Sequence, residues 1–485
     1  MTKKLSFQEK FLKFIKKHKK VKTKHTMLAT ILMLIFIFVF TSPMLDSQES
    51  VLADEENDSL LTASMVGDMM FGRYVKEVTD QHGYDYLFEH VKPLFQQSDY
   101  VTGNFYNPVL LGEDEPEAEK EIVFETDEKA VEALEKNHFT NVNLANKHMF
   151  DYGQKGIVDT VQTLESNNIG FAGAGETLEQ AEKIHYEEKN GLKVATLGFS
   201  DVFAEGDIAN EGRGGILPAD PSLFIPLVKE ADKNADLVVV HMHWGQEYDS
   251  NTHPRQREMA KGIADAGADI IMGHHPHVLL SADVYNDTLI MYSLGNFIFD
   301  QGWSRTRNTV AANYQLSKDG QAKLVFHPYR IYEGQPKPLG GPLAAYHENQ
   351  IFSQLTKETS SDANWYEEDG KLIFEVDHSE VVEGKTTNKQ GTNEQQPTNE
   401  QQPTNEQQPT NEQQPTNEQQ PTNEQQPTNE QQPTNEQQPT NEQQPTNEQQ
   451  PTNEQQPTNE QQPTNEQQPT NEQQPTNEQQ PTNEQ

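Results

Sequence analysis

An α/β fold with mixed sheets is the class this sequence predicts, on three observations. Short β-like runs recur through the middle of the chain: "LTASMVG", "DYVTGNF", "TNVNLAN", "IGFAGAG", "KVATLGF", "LVVVHMHW", "DIIMGHH" and "TLIMYSLGNFIF". Helical patterns lie between several of them, at Tyr86 to Gln97, Glu128 to Asn137, Gly156 to Asn167, Pro221 to Asn234 and Arg255 to Ala266. Strands alternating with helices give α/β architecture. The third observation is the run "ADLVVVHMHW", which is too continuously apolar for a one-sided sheet and predicts a strand covered on both faces. After Asn308, "VAANYQLS" and "AKLVFHPYRI" follow each other without a helix, which predicts an antiparallel pair and therefore a mixed sheet.

The ends of the chain are of another kind. Met1 to His25 is dense in lysine, with Glu9 its only acid, and Thr26 to Leu45 carries no charge. About twenty apolar residues suffice to cross a bilayer as a helix. Lysines before the run and Asp46, Glu49, Asp54, Glu55 and Glu56 after it place the N-terminus in the cytoplasm and the main domain outside. The alternative is a cleaved signal peptide with "VLA", Val51 to Ala53, as the cut site. A linker follows at 46–58, the folded domain is expected at 59–378, and a second linker at 379–391. From Thr392 to Gln485 the chain repeats "TNEQQP" about fifteen times. A proline in every repeat prevents a continuous helix, and no residue of the repeat forms a core, so a disordered acidic tail is expected.

Composition excludes several chemistries. The 485 residues carry a net charge of -39, with 76 acids against 37 lysines and arginines, so a nucleic-acid role is disfavoured. There is no cysteine, hence no disulfide, thiolate metal site or cysteine nucleophile. No GxxxxGK[ST] sequence occurs, so the chain does not by itself couple ATP to polymer synthesis.

Polar residues terminate the apolar runs. "VGDMMFGR" supplies Asp68 and Arg73, and "TGNFYNP" supplies Asn104 and Asn107. "VNLANKHMFDYG" supplies Asn143, Asn146, Lys147, His148 and Asp151. "VVVHMHWGQEY" supplies His241, His243, Trp244 and Glu247; "MGHHPHV" supplies His274, His275 and His277; "YSLGNFIFDQ" supplies Asn296 and Asp300. In α/β sheets ligand groups gather at the carboxyl ends of strands. Imidazole and carboxylate there suit zinc, manganese or iron, and two such ions about 4 Å apart make a phosphoester-cleaving centre.

Five of these stretches, "GDMMFGR", "NLANKHMFDYG", "HWGQEY", "GADIIMGHHPHV" and "YSLGNFIFDQGW", resemble the capsule-synthesis family of poly-γ-glutamate biosynthesis and export proteins. That family is a branch of the calcineurin-like metallophosphoesterase superfamily. The resemblance implies a four-layer α-β-β-α sandwich and a membrane complex that makes and exports poly-γ-glutamate. It implies a metal shell of Asp68, Asn104, His243, His275 and His277 and a catalytic His148, with Arg73, Asn146, Lys147, Glu247 and Asn296 lining the site. His274 is expected behind that shell or on the surface. The chain departs from the pattern in three places. Tyr106 stands where the family has a carboxylate, Lys147 where it has an amide, and Met70 where a standard phosphoesterase has histidine. Lysine beside a divalent cation repels it. At most one firmly bound ion (Mn, Zn or Fe) and weak or absent phosphodiesterase activity are therefore expected, unless Asn104, Asn107 and Asn146 substitute as ligands or Lys147 points away.

Three functions follow from these readings. The first is a membrane-anchored extracytoplasmic component of poly-γ-glutamate capsule biosynthesis and export. Its partners would be the polymer, the membrane, and membrane-embedded, ATP-using subunits of the synthesis complex. The second is a metal-dependent phosphoester hydrolase at the cell surface. The third is a metal-free polyanion-binding scaffold in which Lys147 and Arg73 replace the cation.

Overall fold

Residues 7–19, 27–33, 59–112, 118, 120–204, 206–302, 305–360 and 363–384 are described by a computed structural model. Most of the expected span Thr26 to Leu45, the linker 46–58 and the repeat 392–485 lie outside them. Among the described residues no helix is long and apolar enough to cross a membrane.

The strands, in chain order, are β1 (Ser59–Met69), β2 (Tyr100–Phe105), β3 (Asn141–Asn143), β4 (Gly170–Ala172), β5 (Ala174–Gly175), β6 (His185–Lys189), β7 (Leu192–Ser200), β8 (Gly215–Ile216), β9 (Leu237–His243), β10 (Ile270–His274), β11 (Ala282–Tyr285), β12 (Thr288–Met291), β13 (Asn296–Ile298), β14 (Asn308–Ser317), β15 (Gln321–Tyr332), β16 (Gln335–Pro338), β17 (Trp365–Glu368) and β18 (Lys371–Asp377). They form a ten-stranded sheet ordered β17-β18-β15-β14-β1-β2-β3-β4, with β13 on β1 and β16 on β15. A six-stranded sheet is ordered β11-β12-β10-β9-β7-β6, and β5 pairs with β8 alone. Both large sheets are mixed: β1 to β4 run parallel while β14 opposes β1, and β12, β10, β9 and β7 run parallel while β6 and β11 oppose them.

Three apolar cores define the layers. Leu61, Met65, Val310 and Tyr314 of the large sheet meet Leu237, Val239, Ile270 and Met272 of the smaller one. The outer face of the large sheet buries Val66, Val101 and Val142 against helices Glu128–Lys136 and Gly153–Ser166. The outer face of the smaller sheet buries Val238, Val240 and Ile271 against helices Pro221–Asn234 and Pro254–Ala264. β9 thus alternates its valines between two cores and is buried at every position. Helix starts are set locally. Asp127 accepts from the Lys129 N–H, Asp220 from the Ser222 N–H, and His253 closes a reciprocal cap with Gln256.

One expected element is different. The stretch Tyr86 to Gln97 is not one helix but a 3-10 turn, Tyr84–Phe88, and a short helix, Lys92–Phe95. Pro93 explains the break, because proline belongs in a first turn and disrupts an interior. The run "TLIMYSLGNFIF" is likewise two strands in different sheets, β12 and β13, joined through Gly295 at φ 64°. Gly67 of β1 lies against that crossing. A Cβ on Gly67 would come 2.0 Å from the Gly295 carbonyl oxygen, a backbone atom that cannot rotate aside. Gly67→Ala should therefore cost about 1–3 kcal/mol. Urea denaturation measures this, and an unchanged midpoint would show that the β1–β13 crossing relaxes freely.

Candidate functional site

Register places two polar rows opposite each other. In the large sheet Asp68 lies level with Asn296 on one side and Asn104 on the other, and Asn104 lies level with Asn143. In the smaller sheet His274 lies level with His243, and His243 with Ser200. The loop after β10 closes the space between the rows with His275 and His277 at φ 95° and 58°. Arg73 and Tyr248 also take left-handed backbone, at φ 50° and 63°. Strained non-glycine residues of this kind persist where surrounding structure holds them, and they cluster at functional sites.

Asp68 is wholly buried. Its carboxylate accepts from Asn104 Nδ2 at 2.7 Å and from the His275 N–H at 3.4 Å, and lies 3.2 Å from His277 Nδ1. Burial pushes its pKa up, but His277, His274 and Asn104 outweigh burial and hold it below the usual carboxylate range. Asn104 is fully used, because its oxygen takes the amides of Asn143 at 2.8 Å and Asn146 at 3.4 Å. His277 Nδ1 donates to Asn296 Oδ1 at 2.8 Å, which leaves Nε2 to accept from the Tyr106 hydroxyl at 3.1 Å.

Tyr106 is the centre of the site. Its buried ring lies 5.2 Å from the His148 ring, 5.7 Å from His243, 5.4 Å from His277 and 5.7 Å from Phe299. Burial raises its hydroxyl pKa well above the ordinary phenol range, so it is a neutral donor. Asn107 and Asn146, the amides expected as substitute ligands, are both engaged by backbone groups. Asn107 accepts from the Phe71 N–H at 3.0 Å and donates to the Glu125 carbonyl at 3.1 Å. Asn146 donates to the Phe105 carbonyl at 2.8 Å and accepts from the His148 N–H at 3.0 Å. Met70 Sδ accepts from the Gly72 N–H at 3.1 Å.

Lys147 neither points away nor enters the polar rows. Its ammonium pairs with Glu247 on the pocket wall. Burial pushes the Glu247 carboxyl up, and the Lys147 hydrogen bond and charge overcome this to hold it low. Arg73 pairs with Asp300 and lies over the Phe124 ring at 4.7 Å. Arg73, Phe124, Lys147 and Glu247, with Ile122, His148, Tyr248, His277, Phe299 and Gln301, line a pocket of 230 Å³. His148 Nδ1 donates to the buried Asp151 at 2.6 Å, and Lys120 holds the other oxygen of Asp151 at 2.9 Å. The sequence marked Asp151 as a polar residue of the His148 stretch, whereas Lys120 carried no signal for this role.

Of the two places expected for His274, the structure shows the one behind the shell. The side chain is wholly buried rather than on the surface, and its Nε2 lies 3.0 Å from His241 Nδ1. Thr102 Oγ1 donates to Asn141 Oδ1 at 2.8 Å, so it accepts from His241 Nε2 at 3.1 Å. That order makes His241 Nδ1 the acceptor of the His274 Nε2–H. His274 Nδ1 lies 3.6 Å from Asp68 without a hydrogen bond.

The donor set suits a divalent pair poorly. Tyr106 fills the space between His148, His243 and His277, and Asp68, Asn104 and His277 are already committed. Among the described residues no group of three or more His, Asp or Glu is arranged to hold a metal ion. Both ring nitrogens of buried His243 and Nδ1 of His275 lack a hydrogen-bond partner.

Comparison with known proteins places the chain in a family. The bacterial capsule synthesis protein profile (PGA_cap) matches residues 62–301. A PGA biosynthesis protein CapA of Bacillus subtilis is 45% identical over 386 residues, covering 79% of this chain and 100% of that one. A capsule biosynthesis protein CapA of Bacillus anthracis is 44% identical over 391 residues, covering 79% of this chain and 94% of that one. The chain belongs to the bacterial capsule synthesis family. Among solved structures, a 5'-nucleotidase from Candida albicans aligns with a TM-score of 0.33 at 10% identity, covering 53% of this chain and 47% of that one.

The imidazoles give the site a pH signature. Burial holds His274 down to about 4 and His275 to about 3, and keeps His148, His241 and His243 below the ordinary imidazole range. The unfolded chain takes up protons at these groups below about pH 6.5, whereas the fold keeps them neutral. Stability is therefore full above that pH and falls as pH drops toward 4 and 3. Urea unfolding should show a loss of at least about 2 kcal/mol between about pH 7.5 and about pH 5. A flat profile across that range would mean the imidazoles are hydrated.

Proposed function

We propose that this chain acts in poly-γ-glutamate capsule biosynthesis as the membrane-anchored, outward-facing member of the synthesis and export complex. The capsule role rests on the family and on relatives aligned over most of both chains. The anchoring rests on the uncharged run Thr26 to Leu45 after a lysine-rich lead. ATP-using coupling is assigned to partner subunits, since the chain has no phosphate-binding loop of the GxxxxGK[ST] kind.

Within that role, the site is read as a binding pocket built on a metallophosphoesterase-like sandwich. The observation that carries this reading is Tyr106 donating to His277 in the middle of the imidazoles. Arg73 and Lys147 line the pocket mouth and give it the two cations a polyanionic chain would meet. His148, fixed by Asp151, presents Nε2 as a group able to take or give a proton.

A second reading, a hydrolase with one bound Mn, Zn or Fe ion, is favoured by the partnerless nitrogens of His243 and His275. Those two side chains would be its first ligands, and Asp68 and His277 would join them only by giving up their bonds to Asn104 and Tyr106. A bound ion would polarise a phosphoester oxygen.

Two measurements test these readings. Metal content of the purified protein should not exceed one ion per chain, with little hydrolysis of a chromogenic phosphodiester. Lys147→Asn, and more so Tyr106→Glu with Lys147→Asn, should raise metal content. Two ions and brisk hydrolysis in the unmodified protein would overturn the pocket reading. For topology, external protease should digest the body on intact cells stripped of wall and spare the lysine-rich segment. Soluble protein beginning near Asp54 would establish the cleaved-signal alternative.

A further inference from the structure

The lysine-rich lead contains a helix, Phe7–Lys19, whose two faces differ sharply. Phe7, Phe11, Phe14 and Ile15 recur at the three- and four-residue spacing that puts side chains on one helical face. All four are exposed, Phe7 by 84%, and Phe7 stacks on Phe11 with ring centroids 6.5 Å apart. Lys10, Lys13, Lys16 and Lys17 lie around the rest of the circumference with Glu9, and the exposed Leu12 sits at its edge between Ile15 and Lys16. Residues 27–33 are also helical, but there Met27, Leu28, Ile31, Leu32 and Met33 are exposed around the axis with no charged face.

That contrast separates two environments. A segment apolar all round suits the hydrocarbon interior, whereas a one-sided helix with lysines opposite its aromatics suits the boundary between water and lipid. Phe7–Lys19 precedes the uncharged run Thr26 to Leu45 by only a few residues, so a spanning run would hold it at the membrane surface. The occupant of its apolar face is then set by charge. A cationic face beside aromatics complements anionic lipid headgroups, and each lysine near such a surface adds to the attraction.

We propose that Phe7–Lys19 lies in the plane of an anionic lipid surface, with Phe7, Phe11, Phe14 and Ile15 in the acyl boundary and Lys10, Lys13, Lys16 and Lys17 among the headgroups. The proposal rests on the anchored reading above. In-plane seating would fix how the chain enters the bilayer and would keep the cytoplasmic segment against lipid rather than free in solution.

The absence of native cysteine makes the test direct. Full-length chains carrying Phe7→Cys, Phe11→Cys, Lys13→Cys, Ile15→Cys or Lys16→Cys are nitroxide-labelled and placed in phosphatidylcholine vesicles with or without phosphatidylglycerol. Labels at 7, 11 and 15 should be reached by oxygen and not by a water-soluble nickel chelate. Labels at 13 and 16 should show the reverse. The alternation should follow the helical period of about 3.6 residues. It should strengthen with phosphatidylglycerol and weaken with salt. Aqueous labels at every position would overturn the proposal, as would exclusion of both quenchers from 7, 11 and 15, the mark of a protein groove. An alkaline carbonate wash separates this from the anchor. A chain that stays while its labels are aqueous sinks the in-plane helix alone, and a chain that washes off while 7, 11 and 15 face lipid sinks the anchor alone.

Discussion

A buried carboxylate governs the architecture of this domain. Asp68 ends β1 with no solvent contact, and an ionised group in that position is tolerated only when hydrogen bonds and charges surround it. Each neighbour recruited for that purpose imposes a further constraint. Asn104 must present its amide to Asp68, so its oxygen must be satisfied by Asn143 and Asn146. His277 must face Asp68 with Nδ1, so Asn296 must share that proton and Tyr106 must supply the other. His275 must bring its backbone N–H within reach, which the left-handed turn after β10 accomplishes. The four-residue row Asn296–Asp68–Asn104–Asn143 is the visible trace of these requirements across the sheet.

Much of this was legible in the sequence because the signals were local. Polar residues closing apolar runs identified the strand ends that meet, and the valines of "ADLVVVHMHW" required a core on each side of β9. Other parts depended on pairing between distant positions, which one sequence does not display. Lys147 read as an intruder in a ligand shell because Glu247, 100 residues on, was not yet its neighbour. Asn107 and Asn146 read as spare amides because the backbone groups they satisfy, the Phe71 N–H and the Phe105 carbonyl, lie tens of residues away in the chain. The sequence leaves His274 between a place behind the shell and one on the surface because the Thr102–His241–His274 chain that fixes it crosses between sheets. The helix Arg73–His82 was hidden by its polar sequence, which buries only Val75, Val78 and Thr79. The strands β17 and β18 lacked the helix-strand alternation that marked the rest.

Charge matching explains the departures at positions 106 and 147 together. Carboxylates near a divalent ion strengthen its binding and protein cations weaken it, because the ion's two charges interact with both. In this site the carboxylates are taken. Glu247 is matched by Lys147, Asp300 by Arg73, and Asp151 by Lys120, leaving Asp68 to the histidines. Tyr106 in place of a carboxylate removes one negative charge from the centre, and the lysine adjacent to His148 adds a positive one that Glu247 absorbs. The two changes act in the same direction: each lowers the attraction for a cation, and Tyr106 also fills the volume one would occupy. What such a centre retains is a buried imidazole cluster beside a pocket lined by Lys147, Glu247 and Arg73. Both cations of that lining already hold a protein carboxylate, Lys147 that of Glu247 and Arg73 that of Asp300, so any anion entering the pocket competes with an internal ion pair.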